Sequence, residues 1–146
     1  MDQRTAHQIN FVKVVVWKRD KVLVEFHPET NIDLKYDLPT FLVAPGADVH
    51  ESVRNEMRKA FRMSVGDVVD TGIKTVNRTA MGGDHPTFVQ IDFIACDYQS
   101  MFKDTLLTVD PPLFQWIPAR VAHALFVKHQ KKITVDGHIE YLSKFL

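Results

Sequence analysis

Apolar residues along this chain recur at two spacings, about 2 and about 3.6 residues, and the switches between them mark the elements. Ile9 to Trp17 is rich in β-branched residues, and Val22-Leu23-Val24-Glu25-Phe26 follows a polar Lys18-Arg19-Asp20-Lys21 turn. Together they read as a β-hairpin. His27 to Asp37 contains a proline and many polar residues and reads as a loop. Leu38 to Val43 reads as a short strand, ended by Ala44-Pro45-Gly46.

The clearest helix comes next. Asp48 is placed to cap it, with Glu51 three residues later in a near capping-box pattern. Val49, Val53, Met57, Ala60 and Phe61 recur at helical spacing and predict the buried stripe, with Gly66 just past its end. Val68 to Asn77 then reads as a strand with a bulge at Gly72, and Met81 to Pro86 as a loop. Thr87 to Ala95 alternates like a half-buried strand, and Asp110-Pro111-Pro112 interrupts the chain. Leu113 to Ile117 predicts a short strand, Pro118 opens a helix through Val127, and His138 to Leu146 predicts a last amphipathic helix. This mixture of short strands and helices implies an α+β layered domain.

Composition adds mainly exclusions. The chain has 146 residues, with 18 Lys+Arg against 18 Asp+Glu. That size suits a single domain. Balanced charge leaves no basic excess to neutralise phosphates, so there is no DNA-binding signal. The single Cys96 excludes an intrachain disulfide and a multi-cysteine zinc site. The polar N-terminus has no signal-peptide core, and runs such as Val14-Val15-Val16-Trp17 are far too short to span a bilayer. A cytoplasmic protein is the expectation.

The order of elements and one segment resemble the Nudix superfamily (MutT-like proteins). Leu38-Pro39 and Pro45-Gly46 stand at the separation seen in that family's approach to its signature helix. The Thr87 to Ala95 strand, the phrase Gln115-Trp116-Ile117-Pro118 and the helix after it resemble the family's second half. The resemblance runs from about Ile9 to about Val127. It implies one Nudix-like domain over residues 1–146, an α/β/α sandwich with a mixed β-sheet. It also implies Mg²⁺ as cofactor, a nucleotide-like small molecule as partner, and a homodimer as an assembly common in the family.

Position by position, the family signature is degenerate here. Phe41 stands at its first Gly, Ala47 at its first Glu and Asn55 at its Arg. Glu56 retains the next Glu, Lys59 and Ala60 occupy the paired-Glu positions, and Arg62 stands at the closing Gly. A register shifted toward Gly66 restores no further carboxylates. The family chemistry uses several carboxylates on one helix face to hold Mg²⁺ against a diphosphate. The helical repeat puts Glu56, Lys59 and Ala60 on that face, so one carboxylate remains.

Glu56 is accordingly the candidate catalytic and metal-binding residue. Lys59 can meet a phosphate as a point charge, or form a plain i,i+3 pair with Glu56. Glu51 is a candidate ligand residue or simply the capping partner of Asp48. Asp84 in the glycine loop and Asp110 before the prolines are candidates to replace a missing carboxylate, or are turn formers. Trp17, Phe26 and Tyr36 can stack on a base or fill the core. His123 and His129 fall on different helix faces, and Cys96 has no evident base.

Three functions follow. The first is a Nudix-fold protein with an eroded catalytic box that binds a nucleotide-like ligand or partner. The second is a divergent Mg²⁺-dependent hydrolase of nucleoside-diphosphate-linked substrates, and the third is an interaction scaffold.

Overall fold

A computed structural model describes residues 7–26, 36–79, 87–101, 114–128 and 136–146. Strands β1 (His7–Lys18) and β2 (Lys21–Phe26) form the expected hairpin, turning through Arg19 in the left-handed backbone region, φ 61°. The hairpin is closed only near its turn, where Trp17 pairs with Val22 and Lys18 with Lys21. Beyond that it splays, and residues 36–43 enter the gap. β3 (Tyr36–Asp37) pairs with β2, while β4 (Thr40–Val43) pairs with β1. The strand expected from Leu38 to Val43 is therefore shortened to β4, and β3 forms at the end of the expected His27–Asp37 loop. The two are jointed at Leu38-Pro39, and Val14 N–H donates to the Pro39 carbonyl across the joint at 2.9 Å. Pro39 has no N–H to give a ladder, which suits it to that joint.

On its other side β1 runs parallel to β6 (Thr87–Met101), from His7↔Thr87 to Trp17↔Asp97. β6 pairs antiparallel with β5 (Met63–Thr79), and β7 (Phe114–Pro118) pairs with β2. β1 is thus interior to a mixed seven-stranded sheet. An interior strand must be apolar on both faces, which is why Val14, Val15 and Val16 are unbroken and fully buried.

β5 begins earlier than expected, at Met63, and takes in Gly66. Its register slips between Asp70 and Lys74, at the bulge expected around Gly72, whose φ is 80°. A second slip, between Gly66 and Val69, surrounds Asp67 at φ 43°.

Helix α1 (Val49–Phe61) covers one face. Asp48 caps it as expected, its Oδ1 accepting from Glu51 N–H at 3.1 Å. Val53, Met57 and Phe61 are buried against Val12, Val14, Val16, Leu23 and Ile94, each such side chain contributing about 1.5–3 kcal/mol. Val49 is only partly buried and Ala60 is exposed, so the buried stripe is narrower than its spacing implies.

Helices α2 (Ala119–Lys128) and α3 (Asp136–Ser143) cover the other face. Ala122, Phe126, Tyr141 and Leu142 pack there on Val15, Val24, Ile91 and Phe93. α3 stops at Ser143, short of the Leu146 end expected for it, and Phe145 and Leu146 lie exposed beyond it. The result is the α/β/α sandwich with a mixed sheet. Residues 27–35 of the expected His27–Asp37 loop, the expected loop at 81–86 and the Asp110-Pro111-Pro112 break lie outside the described residues.

Candidate functional site

On α1, Asn55, Lys59 and Ala60 are exposed, and Glu56 is half-buried. Arg58 and Lys59 lie in the last turn, where their charge complements the negative end of the helix dipole. That gives Lys59 a structural use besides any ligand. Arg62 ends the helix at φ 53°, ψ 39°, its N–H bonded to the Met57 carbonyl. This αL cap is the conformation for which glycine has no steric penalty, so a closing Gly in the family pattern has a physical reason and Arg62 departs from it.

Phe41 lies edge-on to Phe61 with ring centroids 5.9 Å apart. Phe61 in turn meets Phe114 at 4.6 Å. Phe114 and Trp116 alternate onto one face of β7, and both pack against the core beneath α1. Trp116 meets Tyr98 of β6 at 5.4 Å, and Lys18 Nζ stands over both rings, 4.9 Å from the Tyr98 centroid and 5.4 Å from that of Trp116. An aromatic row therefore leads from the last turn of α1 to a cation at the hairpin turn.

Of the candidate acids, Glu51 is exposed in the first helical turn, its backbone held by Asp48, and does not share the Glu56 face. Asp84 and Asp110 lie outside the described residues, as does His129. Among the described residues no group of three or more His, Cys, Asp or Glu is arranged to hold a metal ion. One half-buried carboxylate next to an ammonium is a poor donor set for Mg²⁺, which is bound through carboxylate and phosphate oxygens. The residues on the described face of α1 do not fit that ion.

The other aromatic candidates divide. Trp17 is core: its Nε1–H donates to Tyr141 Oη at 2.8 Å, and its ring packs on Phe145 at 5.0 Å. Phe26 and Tyr36 pair at 5.3 Å and line a hollow of about 390 Å³ with Trp116, Ile117, Val121 and Leu125. Cys96 is buried, and desolvation, aided by the Asp97 charge, pushes its thiol up to about 12. That is the reverse of an activated nucleophile.

Sequence spacing missed a buried ionic cluster on the face opposite α1. Both Asp37 oxygens lie 2.7 Å from Lys13 Nζ, and Oδ1 also accepts from Leu38 N–H. His138 Nε2, on α3, lies 2.9 Å from Oδ1 and therefore donates to the ionised carboxylate. Lys13 also donates to Thr40 Oγ1 at 3.0 Å. Burial pushes the Asp37 carboxyl up, but the His138 hydrogen bond and the Lys13 charge outweigh it and hold the carboxyl below 3.8. The cluster locks β1, β3 and α3 together.

No family model and no curated protein matches the sequence. Solved structures do match. A NUDIX hydrolase from Nitrosomonas europaea aligns over 94% of this chain and 90% of its own, with 17% identity and a TM-score of 0.65. A MutT protein from methicillin-resistant Staphylococcus aureus 252 aligns over 96% and 99%, with 16% identity and a TM-score of 0.63. A MutT protein from Bacillus halodurans aligns over 80% and 72%, with 14% identity and a TM-score of 0.58. The chain has the Nudix fold. Among the described residues no helix is long and apolar enough to cross a membrane.

Proposed function

We propose that this chain is a single Nudix-like domain whose hydrolytic site is impaired and which binds a nucleotide-like small molecule. The observation that carries this reading is the composition of one face of α1, where the half-buried Glu56 is followed by Lys59 and Ala60. A diphosphate approaching this face meets an ammonium directly, with Lys59 supplying as a point charge part of what a metal supplies elsewhere. The rings of Phe114 and Trp116 offer flat apolar surface along the same side of the sheet.

Thermal unfolding with a panel of nucleotide-sugars, ADP-ribose and dinucleotides, with and without Mg²⁺, tests the reading. The expected result is a rise in melting temperature with at least one compound, little dependence on Mg²⁺, and no release of phosphate or nucleoside monophosphate. Mg²⁺-dependent turnover that collapses in Glu56→Gln would instead establish a divergent hydrolase. Silence in both assays would leave an interaction scaffold.

A further inference from the structure

We propose that the β1–β2 turn and Trp116 form a subsite for a nucleoside phosphate, with Lys18, Arg19 and Lys21 taking the phosphate and the Trp116 indole taking the base. The proposal rests on the nucleotide-binding reading above and assigns part of the ligand to a place outside α1.

The charge of the chain is balanced overall, 18 against 18, yet three cations and the single carboxylate of Asp20 occupy residues 18–21. All four are exposed. They line a hollow of about 520 Å³ together with Trp116. Sites for small molecules commonly measure about 300–1,000 Å³, and this hollow lies within that range.

Two features separate this turn from an ordinary solvated hairpin tip. The first is that Lys18 Nζ is held over the Tyr98 and Trp116 rings, 4.9 and 5.4 Å from their centroids. A lysine already localised by aromatic faces loses less side-chain freedom when an anion arrives. The second is the anchoring of the turn itself, where Ala119 N–H at the start of α2 donates to the Asp20 carbonyl at 3.0 Å. That bond fixes the turn beside the β7–α2 junction and hence beside Trp116. A ligand that is both anionic and flat satisfies both kinds of group at once, with its base on the part of the half-buried indole that the Lys18 ammonium leaves uncovered. A long polyanion is disfavoured, since the chain carries no net positive charge to extend the contact.

The test is a titration of the full chain with ADP, followed by tryptophan fluorescence and melting temperature, with adenosine and inorganic phosphate as separate probes. ADP is expected to quench Trp116 saturably and raise the melting temperature, and each half-ligand to bind more weakly. The double variant R19G/K21Q keeps the fold, because Arg19 sits at φ 61°, where glycine is at ease. It is expected to weaken ADP by roughly tenfold or more. In Trp116→Phe the quench disappears and affinity falls. If ADP stabilises the wild type and R19G/K21Q equally, the subsite is wrong and nucleotide binding survives. If inorganic phosphate alone matches ADP, the base contact is wrong. If ADP neither quenches nor stabilises the wild type, the subsite is wrong, and the nucleotide-binding reading stands or falls on the wider panel above.

Discussion

Lys13 on β1 and Asp37 on β3 stand 24 residues apart in sequence and make a two-pronged ion pair in the interior, Nζ lying 2.7 Å from each carboxylate oxygen. A buried pair is costly to break from one side, because the remaining charge has neither water nor partner. Asp37→Asn is expected to lose about 3–5 kcal/mol in urea unfolding. The double variant Lys13→Met/Asp37→Leu, which removes both charges, should recover part of that loss, the remainder being the cost of leaving the His138 and Leu38 N–H groups without their acceptor. A single-variant cost under about 1 kcal/mol would show the pair to be energetically idle.

The same carboxylate sets an acid limb of stability. Its folded-state titration lies below the ordinary 3.8, since the His138 hydrogen bond and Lys13 outweigh desolvation. A depressed carboxyl contributes stability that is present above pH 3.8 and is lost as pH falls through its lower folded value. Urea midpoints below pH 4 should therefore fall more steeply for the wild type than for Asp37→Asn. Parallel curves would remove Asp37 as the cause.

Arg62 closes α1 at φ 53°, a conformation costing a non-glycine residue about 1–2 kcal/mol. Arg62→Gly removes that strain but adds chain entropy to the unfolded state. The expected net gain is roughly 0.5–1 kcal/mol, read as an increase in the urea midpoint at unchanged slope.

Gly137, in the first turn of α3, is required by contact rather than by backbone angle. A Cβ there would collide with the ring of Phe93, which is fully buried beneath the helix. Gly137→Ala should destabilise by about 1–3 kcal/mol through overpacking. The paired variant Gly137→Ala/Phe93→Leu, which shortens the obstructing side chain, should cost less than the sum of its parts.

Cys96 offers a readout of global opening. Its thiol is buried and pushed up to about 12, so almost no thiolate is present at pH 8. An aromatic disulfide reagent should label it slowly in the native protein and stoichiometrically in denaturant. Rapid native labelling would mean that β6 opens locally.

Much of the fold was readable from pattern because strands and helices have local causes. The valine run of β1, the Asp48 cap, the Val53-Met57-Phe61 stripe and the Gly72 bulge all follow from residues within a few positions of one another. Helical spacing puts Ala60 in the predicted stripe, yet it is exposed, because spacing specifies a direction around the axis and not whether another layer covers that position. The α3 stripe was overextended to Phe145 and Leu146 for a related reason, since apolar spacing persists past the last helical hydrogen bond.

The candidate site divides along the same line. The chain on its own determined that Glu56 is the sole carboxylate beside Lys59 and Ala60 on one helix face, because a helix repeats at fixed spacing. Only the tertiary structure decided that the β1–β2 hairpin splays to admit residues 36–43. That opening brings Asp37 to Lys13 and, across 101 residues, to His138. It likewise decided that Lys18 Nζ stands over the rings of Tyr98 and Trp116, which lie on different strands. Periodicity records which way a side chain faces within its own element, whereas strand order records what it meets there, and strand order arises from packing the whole sheet at once.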